Sequence, residues 1–453
     1  MNLPNYFLAD LPAEAALTPG MISDACQTMK RNREQYLAQR STSSLIKTIS
    51  ELAENWQMPD YPFRQLMLRL GPGATGFPQS TLTEGLDAFF SQITPDTLHG
   101  LLLQELGHAQ RLDAMVASAE EQRAGQAAMA MGPVLLAHIT AGVIPNPSIL
   151  NIILGLLVRS AQFVKCASGT SLLPRLFAHS LYDADSKLAS CLEIAEWRGG
   201  NHALEQALFS EADCVTATGS DETLADIRRR LPLHTRFLGY GHRVSFGFVT
   251  QEVLSPFGAK KVAAKAAQDV TAWNQLGCLS PHVIYVENGG AVAGERFAEL
   301  LAEELVRREE VSPRGELPVE LSAAIASKRG FYQVRAGFSD TTRLWSSSGS
   351  TAWTVVYEAD PRFQASCLNR FIYVKSVSDL AEVLKNADDI LGKVSTVGLA
   401  ANSDRGEALA LELARWGVTR VCPIGQMQNP PLTWRHDGRP SLADLVTWTN
   451  WEM

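Results

Sequence analysis

The sequence contains no CxxC pair, and its seven cysteines are odd in number and scattered over 453 residues. That excludes a disulfide framework or a cysteine zinc site and points to a reducing compartment, the cytoplasm. There is no run of Lys or Arg, and the formal charge is -8, so nucleic acid is not expected as a partner. No apolar stretch reaches the roughly 20 residues that a membrane span needs. The most apolar segment, 132–158, is interrupted by Pro145-Asn146-Pro147. Residues 1–20 have neither a basic start nor a long apolar core, which argues against a secretory signal. The dinucleotide fingerprint GxGxxG is missing. The Gly/Pro cluster at 71–78 lacks a Lys-Ser/Thr pair, so it reads as a surface loop rather than a phosphate loop. Glu105 and His108 stand one helical turn apart but gather no further ligands; they read as a solvated face, and no metal is expected.

What is present is an ordinary globular composition, 46% hydrophobic and 19% charged, in a chain long enough for two α/β lobes and an appendage. Residues 1–125 read as mostly helical, with 43–56 and 98–119 the clearest amphipathic stretches. From Gly132 the pattern alternates. Strands are expected at 133–142, 162–165, 192–197 and 214–218, with helices at 148–160, 173–182, 201–209 and 222–230. Such alternation implies a parallel sheet with right-handed crossovers. A second α/β lobe follows, with helices at 295–309 and 404–416, strands at 351–358, 371–374, 394–400 and 418–422, and a helix capped by Ser378 that ends near Leu391. A short final helix is expected at 442–448. The domain reading is 1–236, a helical region plus a Rossmann-like lobe; 237–425, a second lobe; and 426–453, a tail.

The second lobe is organised around Cys278. Val262, Ala263, Ala266, Val270 and Trp273 recur at helical spacing, and a Gly-containing turn then leads through Cys278 into the β-rich run 282–287. A thiol on a rigid turn between helix and strand is where covalent catalysis needs a nucleophile. Cys26, Cys166, Cys191, Cys214, Cys367 and Cys422 lie in helix or strand patterns and read as packing residues. His242 and His436 read as turn or surface residues. Lys165 leaves a buried strand at its carboxyl end, and Thr218-Gly219-Ser220 opens a helix, where free amides attract a phosphate.

The order Gly132-Pro133-Val134, Pro145-Asn146-Pro147, Lys165, Thr218-Gly219-Ser220 and Cys278 resembles the aldehyde dehydrogenase superfamily. The run 421–440, from Val421-Cys422-Pro423-Ile424-Gly425 to Pro440, resembles the closing segment of the LuxC-type acyl-CoA reductases. The resemblance implies an aldehyde-dehydrogenase-like α/β fold with two parallel-sheet lobes. It implies Cys278 as the acyl-accepting nucleophile and Asn146 as an oxyanion donor, with Lys165 and Ser168 at the adenosine ribose and Thr218, Gly219 and Ser220 at the pyrophosphate. Where NAD-selective relatives carry a Glu, three residues after the Lys, this chain has Ser168. Lys165 is therefore expected to meet a 2′-phosphate with no competing carboxylate, which favours NADPH. The Glu that activates water in oxidising relatives is replaced by Phe237, and the ribose-binding Glu is not evident near Asn369–Phe371. The implied activity is NADPH-dependent reduction of a fatty acyl thioester to an aldehyde. Its partners would be an acyl-CoA or acyl-protein donor, an acyl-protein synthetase and further copies of the chain. An oxidising aldehyde dehydrogenase and a non-redox acyl-carrier subunit are the alternatives.

Overall fold

A computed structural model describes residues 3–12, 14–142 and 144–452. The chain divides into two compact units. One comprises Met1–Thr75, Leu86–Gly241 and Pro431–Met453; the other comprises Gly76–Gly85 and His242–Pro430. The strands are β1 (Gln126–Met131), β2 (Leu135–Ile139), β3 (Ala161–Cys166), β4 (Leu192–Glu196), β5 (Cys214–Thr218), β6 (Arg236–Tyr240), β7 (Val244–Val249), β8 (Pro281–Glu287), β9 (Thr342–Ser346), β10 (Thr354–Glu358), β11 (Phe371–Val377), β12 (Val394–Ala400), β13 (Arg420–Pro423) and β14 (Thr447–Glu452).

The first unit holds a parallel sheet in the order β4-β3-β2-β5-β6. Its central strands are buried along their whole length, as expected of strands covered on both faces. Leu135, Ala137, Phe163, Ala195 and Val215 pack with Ile22, Cys26 and Met29 of the helix Pro19–Tyr36. On the opposite side Gln162 donates to the Ile152 carbonyl of the helix Asn146–Leu157. Trp56 anchors the N-terminal helices through a 5.2 Å stack on Phe90 and an indole N–H donated to Ser180 Oγ at 2.9 Å.

The second unit has the order β13-β12-β7-β8-β11-β10-β9, parallel except where β9 runs antiparallel to β10. Alternate residues divide between two cores. Val249, Ile284 and Val286 meet the helices Pro256–Thr271 and Gly294–Val311. Phe246, Val283 and Tyr285 share a core with Ile325 and Tyr332 of the helix Val319–Phe338. The α/β class and the parallel sheets therefore stand as read from the sequence.

Four expectations are corrected. Residues 71–75 are the last turn of the helix Pro62–Thr75, not a loop; Pro72 lies inside it and donates no backbone hydrogen bond, and Thr75 Oγ1 donates to the Gly71 carbonyl at 2.8 Å. The helix expected over 98–119 runs Pro95–Leu106 and stops at Gly107, whose φ of 72° is the left-handed C-cap that glycine supplies without strain. Asp379, not Ser378, caps the helix Leu380–Lys385. In place of a helix over 442–448 the tail forms β14, antiparallel to β1 with Met131 opposite Thr447. Among the described residues no helix is long and apolar enough to cross a membrane.

Candidate active site

In the second unit the helix Pro256–Thr271 runs into a short 3-10 turn, Ala272–Gln275, and then through Cys278 into β8. Trp273, Asn274 and Gln275 are all left-handed, with φ of 49°, 51° and 65°. Each such non-glycine residue costs roughly 1–2 kcal/mol. Trp273 enters the space beside Gly85, where a Cβ would lie 2.0 Å from the indole, and its ring meets Phe77 edge-on at 5.2 Å. Cys278 is exposed, and its carbonyl accepts from the buried Ser245 Oγ at 2.8 Å. Two residues later Ser280 Oγ accepts from Gln428 Nε2, and the Gln428 amide also packs against Gly277. Gln428 closes a loop that Asp269 holds by accepting from the amides of Gly425, at 2.6 Å, and Met427, at 2.9 Å. Arg420 braces the same loop through the carbonyls of Gln426 and Met427.

The other six cysteines are buried or half-buried, and burial pushes the thiols of Cys26, Cys166 and Cys214 up to about 12. These three are inert at neutral pH. His282, four residues beyond Cys278, has its ring pushed down to about 4 by burial; its Nδ1 accepts from the Ser366 amide at 3.1 Å, so the neutral ring carries its proton on Nε2.

In the first unit the remaining expected site residues gather on the carboxyl edge of the five-stranded sheet. Asn146, half-buried, begins the helix that follows β2. Lys165 lies at the end of β3, 4% exposed, with its ammonium over the Trp197 ring at 5.8 Å. Burial pushes that ammonium down, while the carboxylates of Glu205 and Glu196 pull it back up. Ser168 is exposed in the following turn. Thr218 ends β5, Gly219 N–H donates to the Tyr240 carbonyl at 3.2 Å, and Ser220 caps the helix Asp221–Arg230 by accepting from Thr223 N–H. Asp221 and Glu222 in that first turn lessen its attraction for an anion.

The idea that Lys165 faces no competing carboxylate is corrected. Of the carboxylates, Glu205 acts on Lys165 most strongly, and Glu196, at the end of β4, accepts from Gly169 N–H at 2.8 Å and acts on the same ammonium from the neighbouring strand. An acidic residue closing a strand of a parallel sheet was the signal available in the sequence. Phe237 packs into the first unit's core. Glu105 is not a solvated face, since its carboxylate collects the amides of Ser441, Leu442 and Ala443. His436 stacks on Tyr240 at 4.5 Å, and His242 is exposed. Among the described residues no cluster of His, Cys, Asp or Glu could hold a metal ion.

The family model of the acyl-CoA reductases (LuxC) matches residues 37–448. The chain belongs to this family. It is 22% identical over 323 residues to the long-chain acyl-protein thioester reductase 2 of Photobacterium leiognathi, a match covering 70% of this chain and 63% of that one. It is 21% identical over 427 residues to the long-chain acyl-protein thioester reductase of Vibrio harveyi, covering 92% and 84%. The first of these matches thus takes in less than two thirds of its relative. Among solved structures, a NAD-dependent benzaldehyde dehydrogenase from Corynebacterium glutamicum superposes with a TM-score of 0.70 at 14% identity, over 99% of this chain and 93% of that one. This chain therefore has the aldehyde-dehydrogenase-like fold that the sequence order suggested.

Proposed function

We propose that the chain reduces a fatty acyl thioester, acyl-CoA or acyl-protein, to an aldehyde through an acyl-Cys278 intermediate. The observation that carries the reading is that Cys278 is the exposed cysteine of the seven, set on a braced turn between helix and strand.

The Cys278 thiolate adds to the thioester carbonyl, and the tetrahedral oxyanion collapses by expelling the donor thiolate, which takes a proton and leaves the acyl group on Sγ. Asn146, as the family's oxyanion amide, donates to the oxygen while it carries charge; one such donor is worth roughly 10²- to 10³-fold in turnover. The donor set on the sheet edge fits a dinucleotide: a lysine ammonium at a strand end, exposed hydroxyls at Ser168, Thr218 and Ser220, and amides opening a helix. Lys165 and Ser168 would hold the adenosine ribose, and Thr218, Gly219 and Ser220 the pyrophosphate. A nicotinamide cofactor, when bound, would supply hydride to the acyl carbon. Cys278 leaves as thiolate when the resulting tetrahedral oxyanion collapses, and that departure yields the aldehyde. Ser168 favours NADPH over NADH, a preference that Glu196 reduces. Phe237 offers no proton acceptor where oxidising relatives keep a carboxylate, so the acyl-enzyme waits for hydride or thiol rather than water. An acyl-protein donor, with the synthetase that charges it, and a homo-oligomeric assembly complete the reading, and the cytoplasm is its compartment.

The test is intact-mass spectrometry after exposure to a panel of acyl-CoAs, followed by NADPH. Wild type should gain one acyl group and lose it as aldehyde, while Cys278→Ala should stay unlabelled with its melting curve unchanged. Acyl label on Cys166 or Cys422 refutes the nucleophile assignment, and rapid fatty-acid release from aldehyde and NADP⁺ without a thiol acceptor refutes the direction.

A further inference from the structure

We propose that Asn274, Gln275 and Arg370 form a clamp that positions the Cys278 thiol, joining the turn before the nucleophile to a second strained turn 96 residues further along the chain. The inference rests on the reading of Cys278 as nucleophile and adds the residues that aim it.

Eight described residues other than glycine have a positive φ, and six of them form two consecutive triplets. One is Trp273, Asn274 and Gln275; the other is Leu368, Asn369 and Arg370, with φ of 60°, 54° and 65°. The triplets hold each other. Arg370 Nε donates to Asn274 Oδ1 at 3.0 Å, and its Nη1 donates to Glu309 Oε2 at 2.8 Å and to the Ser312 carbonyl at 2.9 Å. Asn274 Nδ2 donates to the Arg314 carbonyl at 2.9 Å. Gln275 Nε2 reaches the carbonyls of Pro281 and Phe371, at 2.7 and 2.9 Å, and so bridges the first residues of β8 and β11. Asn274, Gln275 and Arg370 are 3%, 0% and 1% exposed.

A connection whose only task was to join helix to strand would place glycine at these angles, because glycine adopts them freely. Here the angles are imposed on Trp, Asn and Gln and secured by a buried guanidinium that itself sits in a left-handed turn. Strain of this kind persists only where the surroundings over-determine the backbone, and it collects at functional sites. The turn ends three residues before the exposed thiol, and beyond the thiol Ser280 is held by Gln428. The backbone that carries Cys278 is therefore held on both sides, which limits how far its thiol can be misplaced when an acyl carbonyl arrives. Misplacement of a reacting group by about 1 Å costs on the order of 10²-fold in rate.

The experiment replaces the clamp by a residue that suits the angles. Asn274→Gly relieves the strain and removes both side-chain bonds, so the melting temperature should stay near that of wild type. The rate of acylation by acyl-CoA and kcat should fall about 10- to 100-fold, with KM within about twofold, since the loss falls on the chemical step. Alkylation of Cys278 by iodoacetamide, a small reagent with little demand on orientation, should keep its wild-type rate and pH profile. Asn274→Asp retains the acceptor for Arg370 and should recover most of kcat. Wild-type kcat in Asn274→Gly overturns the clamp, as does an alkylation rate that falls in step with acylation. Should Asn274→Gly lose its cooperative melting transition, Gln275→Glu, which keeps the length and removes the donors, is decided by the same readouts. Cys278→Ala separates the two claims. Acyl uptake by Cys278→Ala removes the nucleophile reading and the clamp with it, whereas an inert Cys278→Ala beside a fully active Asn274→Gly removes the clamp alone.

Discussion

Asp269, on the helix Pro256–Thr271, is 1% exposed, and its carboxyl oxygens accept from the amides of Gly425 and Met427. Burial pushes this carboxyl from 3.8 up to about 7, against the pull of those two amides and of Arg420. Between these pH values the native state keeps a proton that the unfolded chain has released. The stability linked to Asp269 is therefore fully present below pH 4 and is lost as the pH rises to about 7. Over the two units from pH 5 to 7 the loss is at most roughly 3 kcal/mol, at about 1.4 kcal/mol per unit. Asp269→Asn preserves the shape but titrates nothing, and its cost, one amide N–H facing another, does not vary with pH. The quantity to measure is the wild-type melting temperature minus that of Asp269→Asn, at fixed ionic strength from pH 5 to 8. It should fall by about 5–10 °C, given roughly 2–4 °C per kcal/mol for a unit of this size. Parallel curves for the two proteins would refute the buried-proton argument, and a difference that grew with pH would mean that the carboxylate is stabilised where it stands.

Three further outcomes concern the sheet edge of the first unit. Ser168→Glu should shift cofactor preference toward NADH, and Glu196→Gln should tighten NADPH binding a few-fold by removing one of the two carboxylates that act on Lys165; nucleotide fluorescence titration reads both, and a Glu196→Gln variant with unchanged NADPH affinity would remove Glu196 from the site. Asn146→Ala should lower turnover roughly 10²- to 10³-fold while acyl-CoA still binds; a change confined to KM would show that Asn146 holds substrate and not the oxyanion.

The strands β2, β3, β4, β5, β8, β10, β11, β12 and β13 were legible because they are short apolar runs set between turn residues, a local signal, whereas β1, β6, β7 and β9 were not read from the sequence. The helix Val319–Phe338 was missed because only Ile325 and Tyr332 of its 20 residues are buried, which leaves no apolar stripe at helical spacing. The helix expected at 442–448 is a turn that leads into β14: Leu442, Leu445 and Val446 imitate helical spacing, while the partner of the strand that follows lies more than 300 residues upstream. Cys278 could be found from its place between helix and strand. The strained turn before it could not: among Trp273, Asn274 and Gln275 only Asn has any leaning toward left-handed backbone, and Arg370 enters from a distant segment. Residues 425–428 form the loop that carries Gln428 to the turn bearing Cys278, a placement that no periodicity announces.

The pairing of β1 with β14 has a consequence for synthesis. Met131 leaves the ribosome 316 residues before Thr447, the residue it faces, which at about 5–20 residues per second is a wait of roughly 15–60 seconds. For that time Gln126–Met131, a segment without charge, offers an open edge to any strand nearby. Its three alanines have low β-propensity, which slows wrong pairings without blocking the final one. Shortening the C-terminus, or fusing a bulky tag against Trp451, would prolong the exposure and send more of the newborn chain into aggregates.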